Sequence, residues 1–268
     1  MKANAHIFLL AVVSTVFAEL PALTQAQSAI DSLENVLKQS LPDSQRIKIL
    51  NDLLYYYNDI DANRSYTLGK EAIELSKKIS NREDIALTYL HWAIACEATG
   101  DYLTSLEYNF KALQEFEEFR DSISVSAVLN NIGIAYNQLG DYGLAAHYIL
   151  RAIEIDAYRE DTIGLCSDYI NLAEAYFNSK NFPRAKYWAY KAFNEIEVIG
   201  DRSIQGYAAE TVATILLEQK KLDSAEYFIR ISDGVGKEFS NEYLSYRSLS
   251  DFGKLHFKKE QYDSARFY

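Results

Sequence analysis

The amino-acid sequence predicts an all-α solenoid of about six helix pairs, one pair every 40 residues. Three observations carry that prediction. Gly100-Asp101-Tyr102 recurs as Gly140-Asp141-Tyr142 and then, in the same register, as Lys180-Asn181-Phe182, Lys220-Lys221-Leu222 and Glu260-Gln261-Tyr262. Small residues keep the interval at Ser105, Ala145, Ala185, Ala225 and Ala265, and again at Ala72, Ala112, Ala152, Ala192 and Ser232. Asn81, Asp121, Asp161, Asp201 and Asn241 form a third column, and side chains of that kind satisfy the free amides at a helix start.

In chain order, the first element reads as an export signal. Lys2 precedes an apolar run from Ile7 to Ala18 and then small or polar residues up to Ala26, the order of a secretory signal peptide. Such a run rises about 18 Å as a helix, short of the roughly 30 Å needed to cross a membrane. Residues 1–26 are therefore expected to be removed, with cleavage after Ala26 preferred and Ala18 the alternative. No cysteine lies near the cut to carry a lipid. Ile30, Leu33, Val36 and Leu37 then make an apolar stripe on a short helix within 27–42, expected to cap the repeats that fill 43–268. The last repeat stops at Phe267-Tyr268, part way along its second helix, so a longer protein is expected to continue beyond it.

Within one unit, Asp121 starts a helix through about Leu139, Gly140-Asp141 turns the chain, and a second helix runs from Tyr142 to about Tyr158. Leu53, Ala93, Gly133, Ala173, Ala213 and Gly253 form a small-or-apolar column. Three residues on stand Tyr56, Cys96, Tyr136, Tyr176, Leu216 and His256, a helical spacing. Small residues let two helices approach, and the tyrosines fill the space beside the contact. Pro183 fits a first helical turn, where no amide bond is lost. This combination of small residue, Tyr136, Gly140, Tyr142, Ala145 and Ala152 resembles the tetratricopeptide repeat over roughly 43–268. The resemblance implies a right-handed α-solenoid of tetratricopeptide-like helix pairs. The usual unit has about 34 residues; the longer period implies longer helices, and Asp or Asn replaces the usual closing proline.

Composition limits the chemistry. With 49% hydrophobic residues and three prolines the chain is foldable, and a net charge of −11 without a basic cluster argues against nucleic acid. Of the histidines, His6, His91, His147 and His256, none has a metal-ligand spacing to a cysteine or another histidine. No converging nucleophile and base is found, so no catalytic residue, metal or cofactor is expected. His256 replaces a tyrosine as an inter-helix filler. Gly234-Val235-Gly236-Lys237 fails the phosphate-loop pattern because Ile231 and Glu238 stand at the required positions. It is read as an early break or kink, each glycine costing about 1 kcal/mol in a helix. Cys96 and Cys166, in different repeats roughly 20 Å apart, are expected to be free buried thiols.

First helices line the concave wall of such arrays, and residues seven apart share a helix face. That face reads Asn51 with Asn58, His91 with Ala98, Asn131 with Gln138, and Asn171 with Asn178. Amides both donate and accept, as a peptide backbone requires. The resemblance implies that such asparagines hold an extended peptide by its main chain, with Tyr57 and Phe177 offering adjoining apolar pockets. A plain polar, solvent-facing stripe explains the same residues equally well. The ladder stops after the fourth repeat, where Thr211, Glu218, Asp251 and Lys258 follow.

Signal, capping helix and long repeats in this order resemble the extracytoplasmic N-terminal region of bacterial sensor histidine kinases. The resemblance implies a non-catalytic periplasmic scaffold that binds a protein or peptide, with a membrane helix and kinase downstream. Alternatives are a sensor region fused to a nucleotide cyclase or DNA-binding domain, and a stand-alone secreted assembly factor. Membrane contact is expected only through a downstream helix, and homodimerisation stays open.

Overall fold

The structure, a computed structural model, describes residues 21–268. It comprises α1 (Pro21–Leu37), α2 (Asp43–Ile60), α3 (Ala62–Ser76), α4 (Arg82–Ala98), α5 (Tyr102–Phe119), α6 (Ser122–Leu139), α7 (Tyr142–Tyr158), α8 (Thr162–Asn178), α9 (Phe182–Ile199), α10 (Arg202–Glu218), α11 (Leu222–Glu238), α12 (Glu242–Lys258) and α13 (Tyr262–Phe267). No strand occurs among the described residues. The chain divides into two compact units, residues 1–152 and 153–268. The export-signal reading falls mostly on residues 1–20, outside the described residues; residues 21–26 form the start of α1.

The turns explain why the helices begin and end where they do. Asn81, Asp121, Asp161, Asp201 and Asn241 each accept from backbone amides of the helix that follows. Asp101, Asp141 and Asn181 do the same for the second helix of their pairs. The Gly-Asp dipeptide therefore ends one helix and starts the next. Gly140 is left-handed at φ 86°, and the following Asp141 amide donates to Tyr136 O at 3.0 Å, which satisfies an otherwise free carbonyl. Where the glycine has been lost the conformation remains: Arg120, Glu160, Lys180, Lys220, Ser240 and Glu260 all have φ between 51° and 65°.

In unit 1, Ile30, Ile47, Leu50, Leu53, Leu54 and Leu68 form a core against which Leu33 and Leu37 of α1 also pack. Burying side chains of this size contributes about 1.5–3 kcal/mol each. The small columns mark the helix contacts. A Cβ on Gly69 would lie 2.3 Å from Trp92, and one on Gly133 only 2.4 Å from Ile149.

In unit 2, Ala173, Ala185, Ala189, Ala192, Ala208, Ala213 and Ala225 are wholly buried between helices. The expected break at Gly234 and Gly236 does not occur, because α11 continues unbroken to Glu238. A Cβ on Gly236 would stand 2.9 Å from the Ser245 backbone nitrogen of α12. The glycine serves close helix approach, and packing there overrides its weak helix propensity. Tyr268 stacks on both Phe252 and His256, so the His256 ring of α12 packs against the residue that follows α13.

Candidate functional site

The unit 1 part of the asparagine ladder lies closer to the helix seams than a solvent-facing stripe. Asn51 Nδ2 donates to Asp84 O at 3.0 Å, and its Oδ1 accepts from Thr88 Oγ1 at 2.9 Å. Asn58 donates to His91 O at 3.3 Å and accepts from Ser65 Oγ. Both amides thus tie α2 to its neighbours. Asn131 is buried with Nδ2 unpartnered, and His91 has an unpartnered, buried Nδ1. Burial lowers the His91 pKa to about 4, so the ring is neutral at pH 7. Gln138 is half-buried. Tyr55, four residues after Asn51 and 40% exposed, sets its ring edge-on to His91 at 6.2 Å.

Tyr57 faces elsewhere. Its hydroxyl donates to Glu34 Oε1 at 2.8 Å, and Arg64 pairs with the same carboxylate at 2.9 Å. The Arg64 and Tyr57 hydrogen bonds hold the Glu34 carboxyl below its ordinary pKa. Tyr57 therefore clamps α1 rather than adjoining a pocket along the ladder. Phe177 packs edge-on against Phe182 at 5.7 Å, across the turn between α8 and α9, so its ring closes that helix pair.

In unit 2, Asn171 and Asn178 are half-buried and each is engaged. Unit 2 also holds a charged network between α10 and α12. Arg247 Nε of α12 donates to Glu210 Oε1 of α10 at 2.7 Å. Thr214 Oγ1 donates to the same oxygen at 3.1 Å and to Asp251 Oδ2 at 3.4 Å. Lys254 pairs with Asp251 at 2.7 Å. Burial raises the Glu210 carboxyl pKa even against the pull of Arg247. Glu174 of α8 makes no salt bridge among the described residues, and burial followed by the charge of Glu210 pushes it up to about 8 against the pull of Arg247. At pH 7 this face presents a neutral Glu174 carboxyl, the Arg247–Glu210 contact and the Lys254–Asp251 pair.

Among the described residues no group of three His, Cys, Asp or Glu side chains is placed to hold a metal ion, and no helix is long and apolar enough to cross a membrane. Cys96 and Cys166 are free and buried. Burial raises both thiols, Cys166 to about 12.

Residues 84–157 match the family model described as tetratricopeptide repeat. That stretch carries the tetratricopeptide-repeat pattern. Among solved structures, BtubC (BKLC) from P. vanneervenii is 14% identical, with 84% of this chain and 94% of that one covered and a TM-score of 0.60. NprR in complex with its cognate peptide NprX is 15% identical, with 94% and 77% covered and a TM-score of 0.68. A Rap protein complexed with Competence and Sporulation Factor is 12% identical, with 94% and 86% covered and a TM-score of 0.67. At such identities the likeness is one of fold. No curated protein matches by sequence.

The unit 2 network had a signal in the sequence. Glu174, Thr214 and Lys254 occupy one column of the 40-residue ruler, three residues after the ladder column, where unit 1 has Ile94 and Ile134. A switch from isoleucine to polar or charged residues at one repeat position marks a face with a different neighbour.

Proposed function

We propose that this tetratricopeptide-repeat chain is a non-catalytic scaffold that binds an extended peptide or protein segment across the first helices of unit 2. The observation that carries the reading is the Glu174, Glu210, Thr214, Arg247 and Lys254 face on α8, α10 and α12. Burying ionisable groups costs stability unless they are matched, and Glu174 is offset only by the more distant charge of Arg247, which already pairs with Glu210. A peptide supplies main-chain donors and acceptors, which amides, hydroxyls and the neutral Glu174 carboxyl read, and acidic side chains, which the exposed Lys254 meets. NprR in complex with its cognate peptide supports this class of ligand for a similar fold. Asn171 and Asn178 border the proposed face, whereas Asn51 and Asn58 already spend their amides inside unit 1.

A random-peptide library selected on the immobilised chain tests the reading. Selected peptides should lose about tenfold in affinity, about 1.4 kcal/mol, on the combined Glu174→Gln and Arg247→Gln substitution. Peptides that bind both proteins equally would place the site elsewhere.

The finer reading is that of an exported, periplasmic sensor region of a membrane signalling protein such as a histidine kinase, and it rests on the Lys2 to Ala26 pattern and the repeat order. Residues 1–40 fused to alkaline phosphatase should give activity in the periplasm; an inactive fusion sinks the export reading. A membrane-spanning segment and kinase encoded downstream of Tyr268 would support the sensor, and a stop codon there the stand-alone scaffold.

A further inference from the structure

Along α9, Pro183, Lys186, Tyr187, Tyr190, Lys191 and Asn194 line an open groove of about 500 Å³. Their spacing of three and four puts them on one helix face, opposite the buried Ala185, Ala189 and Ala192. Tyr187 is 61% exposed. From Lys180 to Asn194 the chain has four basic residues and no acidic one, in a protein where acids outnumber bases 38 to 27.

Several other basic side chains of unit 2 are matched, Arg202 with Glu238, Arg230 with Glu226, Lys237 with Asp233 and Lys259 with Glu226, and within the groove Lys191 lies 3.9 Å from Glu195. Lys180, Arg184 and Lys186 have no carboxylate partner among the described residues. Instead Arg184 lies over the Tyr176 ring at 5.3 Å and Lys186 over the Tyr190 ring at 5.3 Å. Lys220 and Lys221, at the corresponding turn one repeat later, are also without a carboxylate partner among the described residues. Cations held over rings keep their charge available to a further partner.

We propose that this α9 face docks a short acidic segment of a partner protein. Its carboxylates meet Arg184, Lys186 and the turn lysines, and an apolar side chain lies in the groove beside Tyr187 and Tyr190. The occupant is a short segment because the chain as a whole carries −11. A nucleic acid or an anionic membrane extends beyond the patch and is repelled by the rest of the surface. A short segment stays within about one Debye length, ~8 Å at physiological salt, of the local positive charge. The surface belongs to a second helix and stands or falls independently of the first-helix face proposed above.

The test uses the full chain and a fluorescein-labelled peptide of Glu and Asp residues around a single Leu, followed by anisotropy. Binding should weaken with salt and vanish when Gln and Asn replace the acids. It should fall at least about tenfold, a loss of about 1.4 kcal/mol, in the combined Arg184→Glu and Lys186→Glu protein. Tyr187→Ala, at an exposed position, should also weaken binding with an unchanged melting temperature. Equal binding of the Gln/Asn peptide, unaltered affinity in both variants, or tighter binding of an oligonucleotide or phosphatidylserine vesicle would overturn the proposal.

Discussion

Ser240→Gly isolates the cost of the lost turn glycines. Ser240 sits at φ 51°, in the left-handed region, where a side chain costs about 1–2 kcal/mol. Glycine removes that cost but frees the unfolded chain, which takes back about 0.5–1 kcal/mol. The balance is a gain of about 0.5–1 kcal/mol. Gly200→Ala is the mirror experiment in the same unit: φ is 84° and nothing lies within 4 Å of the added Cβ, so only backbone conformation changes and the loss should be about 1 kcal/mol. Urea unfolding of both variants against the parent reads these differences as midpoint shifts at constant slope. A less stable Ser240→Gly protein, or a Gly200→Ala protein as stable as the parent, would refute the assignment of the turn energy to handedness.

Other expectations follow from burial. Glu97 is buried with both carboxylate oxygens unpartnered, and desolvation pushes its pKa up to about 8. Its folded pKa exceeds the unfolded value, so folding takes up a proton and stability declines as pH rises from about 4.5 to about 8. Glu97→Gln should therefore be more stable than the parent at pH 8.5 by on the order of 2 kcal/mol or more, with the difference shrinking towards pH 4.5; a pH-independent difference would contradict the burial of an uncompensated carboxyl. Cys96 and Cys166 should resist a thiol reagent in the native protein and both react in denaturant, since burial disfavours their thiolates; rapid native labelling of either would place it at the surface. Gly236→Ala should cost about 1–3 kcal/mol through overpacking against α12, and a stability gain from better helix propensity would instead revive a loose α11.

The repeat length, the helix pairs and their ends were legible because their causes are local. An Asp or Asn every 40 residues caps a helix through its own next turn, and a left-handed residue ends the one before. The Gly234 kink was misread for the converse reason: propensity argued for a break, whereas the passage of Ser245 close to Gly236 is a contact the sequence does not display.

The candidate site shows the same division. Two residues seven apart share a helix face, and the sequence alone determined that Asn51 and Asn58, or Asn171 and Asn178, stand together. Only the tertiary structure decided what covers each face. The α2 amides reach α4, Tyr57 turns to α1, and Glu210 meets Arg247 from a helix 37 residues along. Helix starts depend on bonds within a few residues, but the partner of an outward side chain depends on how neighbouring helices cross, which is set by packing between residues far apart in the chain.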